Sequence, residues 1–220
     1  MTTGPANFDR LAAPYRFLER LAFGRDLERA REWFLDRLRD RESILVLGDG
    51  DGRCLARLIG AAPHARIHCV DASGAMIARA RARVAGGPAA GRVTFEQADA
   101  LTFAGPAAGY DAVLTCFFLD CFTPAQTAAL IARVALLLRP GSLWLFADFV
   151  LPPSGWRRWR ARLWVGLLYF FFRWLTGISA RALPPAEELL AQAGWRLVAG
   201  REFQRGLVRA ALFSQPGSRT

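Results

Sequence analysis

Three glycines spaced two apart, Gly48, Gly50 and Gly52, follow the apolar run 44–47 and alternate with two acids, Asp49 and Asp51. A strand that runs into such a loop turns tightly and can bring its backbone against a small bound molecule, because glycine adopts positive φ and carries no Cβ. The acids narrow the choice of molecule. A dinucleotide fingerprint wants glycine at the sixth position counted from Gly48, where Arg53 stands, and two carboxylates would repel a pyrophosphate. A phosphate-binding P-loop ends in Gly-Lys-Ser/Thr, and this chain contains no lysine. A cationic ligand is left as the better match. More acids follow at the ends of later apolar runs: Asp71 closes "RIHCVD", Asp99 closes "FEQAD", and Asp120 and Asp148 follow the next two. Asp71 lies about 20 residues beyond the loop, where a carboxylate can accept two ribose hydroxyls. Asp99 ends the next run in the same way. His64 sits in a loop and His68 within a strand-like run, so neither looks suited to catalysis. Cys54, Cys69, Cys116 and Cys121 form no CxxC pair, which argues against a disulfide framework and a zinc site. Neither a catalytic triad nor a metal cluster is apparent.

These residues need elements to hold them. Apolar positions at helical spacing predict helices over 8–22 and 26–39. Then "SILVLG", "RIHCVD", "RVTFEQAD", "YDAVLTCFF" and "SLWLFADF" alternate with helix-like segments at 51–60, 74–85 and 124–138. Such alternation with short connections predicts parallel strands with crossover helices on both faces, an α/β doubly wound sheet. A helix opened by Pro185 and two alternating segments, 195–203 and 206–214, predict a closing antiparallel hairpin. The 220 residues are read as a single domain: N-terminal helices 1–40, a ligand-binding core 41–150, an aromatic and basic helical lid 151–182, and a final helix and hairpin 183–220.

Among common occupants of a glycine-rich strand-to-helix turn, S-adenosylmethionine (SAM) carries a sulfonium and an ammonium in place of phosphates, which suits an acidic loop. Over residues 40–150 the chain resembles the class I methyltransferases, on Gly48, Gly50, Gly52, Asp71, Asp99 and the segment "LLRPGSLWLFADF". The resemblance implies a seven-stranded, mostly parallel Rossmann-like sheet whose last hairpin inserts an antiparallel strand. It also implies SAM as cofactor, held by Gly48, Asp49, Gly50, Gly52, Asp71, Ala72, Met76, Asp99 and Ala100. One position departs from the family: Val46 stands where an acid usually precedes the first glycine by two residues. Asp49 is the candidate to compensate. The N-terminal "FDRLAAPYRFLERLAFGRDLERAREWF", with Tyr15, and the late "LYFFFRWLTGISARALPPAEELLAQAGW" are similar to the ubiquinone and menaquinone C-methyltransferase group.

The formal charge is +10, carried wholly by arginine. No acid lies between Asp148 and Glu187, and residues 155–176 form an amphipathic stripe of Trp156, Trp159, Leu163, Leu167, Phe170 and Trp174 with Arg158, Arg162 and Arg173 opposite. Arg173 interrupts the apolar run, so a membrane span is not expected. The segment reads as a helix that covers the active site and packs on the sheet, or as a lid that lines a hydrophobic pocket and rests on an anionic membrane surface, and the two can both hold. The expected activity is methyl transfer from SAM to a hydrophobic small molecule, quinone-like or lipid-like, in the cytoplasm or peripherally on the inner face of the membrane. Aromatic faces at Phe117, Phe118 or Phe149 could steady a sulfonium, and Asp120 is the candidate to take a proton from the acceptor. An RNA methyltransferase is an alternative that "TCFFLDCF" disfavours, since base N-methyltransferases show N/D-P-P-Y there. A non-catalytic, membrane-associated SAM-fold module is the other.

Overall fold

A computed structural model of the protein describes residues 25–87, 91–151, 155, 156, 159 and 183–215. Seven strands form one sheet in the order β3-β2-β1-β4-β5-β7-β6. They are β1 (Ser43–Leu47), β2 (Arg66–Asp71), β3 (Val93–Gln97), β4 (Tyr110–Cys116), β5 (Leu138–Phe149), β6 (Arg196–Phe203) and β7 (Val208–Ser214). The first five pair in parallel, and β7 runs antiparallel to both β5 and β6. This is the doubly wound, Rossmann-like seven-stranded arrangement that the alternation and the closing hairpin predict.

The helices lie on both faces because each strand buries both sets of alternating side chains. Ile44, Val46, Leu114, Leu145 and Ala147 pack with α1 (Asp26–Glu32) and α2 (Arg53–Ala61). Leu45, Leu47, Val113, Trp144 and Phe146 pack with α4 (Pro124–Leu137) and α5 (Ala186–Gln192). A fifth helix, α3 (Gly74–Val84), joins β2 to β3 and buries Ile77 and Ala80. Edge strands β3 and β6 are more exposed than the central ones, as strands with one free side must be.

Local chemistry sets the helix starts. Thr123 and Gln126 form a reciprocal capping box at α4 with Pro124 in its first turn, and Ser73 caps α3 by accepting the Met76 N–H (3.2 Å). The β6–β7 turn uses left-handed backbone at Gln204 (φ +50°) and Arg205 (φ +58°), the pair of positive φ values that matches strand twist in tight hairpins. One expectation is corrected. The helix predicted over 26–39 stops at Glu32 and resumes as a 3-10 turn at Leu35–Leu38, which places Leu35 and Leu38 three apart and both buried. The expected helix 8–22 and most of the expected lid 155–176 lie outside the described residues.

Candidate active site

In a doubly wound sheet ligands bind beyond the carboxyl ends of the strands where the order reverses, here between β1 and β4. The glycine loop leaves β1 at that point. Gly48, Gly50 and Gly52 all take positive φ, at +65°, +64° and +80°. Two of them are also forced by close packing: a Cβ on Gly48 would stand 2.0 Å from the Phe118 ring, and one on Gly52 would stand 2.7 Å from the Ala80 backbone. Gly50, by contrast, has open space where its Cβ would be. The crest of the loop is therefore bare backbone facing outward, the surface that a ligand could approach.

Asp71 meets the loop there. Its Oδ2 accepts the Gly50 N–H (3.3 Å) and its Oδ1 the Ser73 N–H (2.9 Å). Two fixed amides orient the carboxylate and leave lone pairs for hydroxyl donors. Burial still dominates those hydrogen bonds, so its pKa lies above the ordinary range. Ala72 and Met76 follow on the same turn into α3, with the Ala72 carbonyl accepting from Gln97 Nε2 (3.2 Å). Asp99 lies two residues beyond β3, the neighbour of β2; it is exposed and accepts the Leu101 N–H at Oδ1 (2.9 Å). Ala100 beside it is buried.

The two loop acids separate in role. Asp51 turns away into an ion-pair cluster, its Oδ2 accepting from Arg83 Nη2 (2.9 Å) and Arg53 Nε (3.2 Å). Asp49 turns inward, and its Oδ2 accepts the Leu55 N–H in the first turn of α2 (2.9 Å). Desolvation pushes the Asp49 carboxyl up to about 7, although Leu55 N–H and the charge of Arg31 oppose the rise. The acid also raises the buried thiols of Cys54 and Cys69, after the larger effects of burial and, for Cys54, of its Cys116 neighbour. Cys69 pairs in register with Val46. Asp49, three residues along the chain from Val46, is thus the loop acid that turns inward.

The acceptor side is built by the end of β4. Phe117 leaves the strand in a left-handed conformation (φ +52°), a strained state for a non-glycine residue and one that clusters at functional turns. Its ring meets Phe149 edge-on at 5.2 Å and lies under the Arg31 guanidinium at 4.6 Å. Phe118 meets Phe122 edge-on at 5.1 Å. A 3-10 turn, Leu119–Cys121, then carries Asp120. Burial pushes the Asp120 carboxyl up to about 6, against the Cys121 thiol, which donates to its Oδ1 (3.6 Å). Among the described residues no His, Cys, Asp or Glu group is arranged to hold a metal.

A sequence model described as "Methyltransferase domain" matches residues 44–141. That span, less than half of the chain, is similar to a methyltransferase domain, and it holds the glycine loop, Asp71, Asp99 and Asp120. No curated protein matches the chain. Among solved structures, the chain is similar to the N-methyltransferase NodS from Bradyrhizobium japonicum WM9 (20% identity, TM-score 0.62, covering 86% of this chain and 97% of that one). It is also similar to the S-adenosylmethionine-dependent methyltransferase SibL in its apo form (22%, TM-score 0.70, 98% and 64%). A third is an O-methyltransferase family 2 protein from Planctomyces limnophilus in complex with apigenin (19%, TM-score 0.65, 80% and 50%). The chain spans nearly all of the first and one half to two thirds of the other two. At these identities the likeness establishes the fold.

The residues at this end of the sheet fit SAM on their own geometry: bare loop backbone at Gly50, an oriented carboxylate at Asp71, a buried acid at Asp49 and aromatic rings at the end of β4. The placement of the glycine loop, Asp71 and Asp120 at strand ends was legible in the sequence. The inward turn of Asp49, the stacking of Arg31 on Phe117 and the dependence of Gly48 on Phe118 were not, because each is a contact between elements that no local pattern announces. Among the described residues no helix is long and apolar enough to cross a membrane.

Proposed function

We propose that the domain transfers a methyl group from SAM to a hydrophobic small molecule, quinone-like or lipid-like in character. The observation that carries the reading is the meeting of the three positive-φ glycines with Asp71 beside a wall of phenylalanines at β4. The loop Gly48, Asp49, Gly50 and Gly52 holds the methionine end, with Asp49 as the acid for its ammonium group. Asp71 and Ala72 hold the ribose, and Met76, Asp99 and Ala100 border the adenine. SAM supplies an electrophilic methyl carbon on its sulfonium. The chain supplies alignment, which is worth about 7–11 kcal/mol in well-oriented reactions, and aromatic faces that favour a desolvated cation.

Asp120 is the proposed catalytic base. A carboxylate with a pKa near 6 is ionised at neutral pH and can take a proton as the acceptor reacts. An aromatic acceptor matches Phe117, Phe118, Phe122 and Phe149, and the apigenin complex of a similar fold supports that class. Residues 155–176 are proposed to cover the acceptor pocket and to touch an anionic bilayer at the inner face of the membrane; Trp156 (59% exposed) and Trp159 (70%) present the rings that favour such an interface.

Calorimetric titration of SAM and S-adenosylhomocysteine tests the cofactor assignment. Micromolar binding that Asp71→Ala abolishes is the expected result, followed by transfer of labelled methyl to lipid-like or phenolic acceptors. A folded protein that binds neither ligand would overturn the reading.

A further inference from the structure

The wall of phenylalanines continues beyond the site. Phe149, whose ring meets Phe117 at 5.2 Å, pairs from β5 with Val208 of β7, and Val208 pairs in turn with Phe203 of β6. Phe203 is buried, and its ring meets Trp33 edge-on at 5.5 Å, just past the end of α1. Trp33 is 44% exposed. An apolar row therefore runs from the β4 turn to the edge of the sheet and ends in an indole at the surface.

Two arginines sit at that end. Arg201, two residues before Phe203 and so on the same face of β6, lays its guanidinium over Trp33 at 4.8 Å, and Arg205 in the following turn lies over Trp156 at 5.9 Å. Both arginines are exposed, as is Trp156. Acids close by in the chain are engaged elsewhere. Asp26 accepts from Arg29 (3.4 Å) and from Gln204 Nε2 (2.8 Å), Glu32 pairs with Arg57 (3.0 Å), and Glu202, on the alternate face of β6, lies 3.9 Å from Arg209. A guanidinium stacked on a ring keeps its in-plane N–H groups directed outward, the geometry that meets phosphate oxygens in pairs.

Resting on the membrane contact proposed for residues 155–176, we propose that the folded core supplies a docking face of its own: Trp33, Arg201, Arg205 and Trp156 bind the phosphate-bearing headgroups of an anionic lipid bilayer. Indole rings favour headgroup depth, and arginines near the surface add attraction to anionic lipid. The formal charge of +10 acts in the same direction at longer range. A single-stranded nucleic acid needs open ring faces on which to stack its bases, and here a guanidinium covers a face of each indole. The row behind the patch gives docking a use. It joins the docking face to the acceptor wall, so the phenylalanines of the site come to lie beside the layer in which a lipid-like acceptor dissolves.

Sedimentation with vesicles tests the face, using phosphatidylcholine mixed with phosphatidylglycerol against phosphatidylcholine alone. The full chain should partition onto the mixed vesicles, be released by added salt and stay in solution with phosphatidylcholine alone. Arg201→Gln with Arg205→Gln, two exposed substitutions whose folding a urea melt checks, should weaken the partition about 30-fold, from roughly a fivefold loss per arginine. Equal partition onto both vesicles, or a double variant that partitions as wild type does, refutes the face. Stronger retention by polyuridylate than by the mixed vesicles at equal phosphate also refutes it and assigns the patch to nucleic acid. SAM titration of the same samples reads the proposed function separately: a chain that docks without binding SAM keeps the face and loses the methyl transfer, and a chain that binds SAM without docking loses the face alone.

Discussion

Replacing Asp49 by asparagine should make the ligand-free protein more stable as pH rises. Asp49 has an ordinary value of 3.8 and a folded value of about 7. A raised acid binds its proton more tightly in the folded state, so folding is progressively penalised as pH climbs from the lower value to the higher, and the full penalty is present above it. At about 1.36 kcal/mol per pKa unit, the span corresponds to roughly 4 kcal/mol when complete. Integrated between pH 5 and pH 8, the share falling in that window is about 2.5 kcal/mol. Asparagine keeps an oxygen for the Leu55 N–H and carries no charge, so the variant escapes the penalty. Urea unfolding of both proteins at pH 5 and pH 8, without ligand, should show the stability advantage of Asp49→Asn growing by about 2.5 kcal/mol across the interval. The comparison isolates Asp49 from Asp71, Asp120 and Asp148, whose own raised values are common to both proteins. The same variant should bind SAM more weakly, since the ammonium loses its counter-charge. An advantage that is the same at both pH values would refute the assignment of a proton to buried Asp49.

Gly48→Ala should abolish SAM binding and destabilise the fold by about 1–3 kcal/mol, because alanine is strained at φ +65° and its Cβ meets the Phe118 ring; calorimetry and urea melts read the two effects. With a hydroxylic acceptor, the initial rate should rise as pH passes through about 6 and level above it, because Asp120 works as a base only when ionised; a rate that falls across that range contradicts the role. Thr123→Ala, which breaks the capping box of α4, should cost about 1 kcal/mol in urea unfolding and leave the SAM affinity intact.

The fold was largely legible because its signals are local. Four apolar residues before Gly48 announce β1, Pro124 after Thr123 announces α4, and the turn at Gln204 and Arg205 separates two alternating runs. Asp71 could be read from its place at the end of a run. What could not be read depends on distance between elements. The sequence presents Asp49 and Asp51 as equals, and only the folded chain brings Arg83 from α3 to Asp51 and leaves Asp49 facing inward. The acid missing at Val46 looks like a loss until Asp49, three residues on, is found to turn inward. The helix over 26–39 was misjudged because its period Leu27, Ala30, Phe34 and Leu38 runs on past Glu32, whereas the tighter turn at Leu35–Leu38 buries Leu35 as well.

The order of β6 and β7 has a consequence for biosynthesis. β7 lies between β5 and β6 although it follows β6 in the chain. When a ribosome has released residues up to Phe203, β6 has no neighbour to pair with, and the flank of β5 presents Leu143 to Phe149 with unmet backbone groups. An emerging edge of that kind is a site for mispairing between nascent chains. Seating β7 closes both gaps in one event, through its ladders to β5 and to β6. The sheet therefore reaches its final form only once β7 has emerged, and delay in its emergence prolongs the interval in which a chaperone is needed.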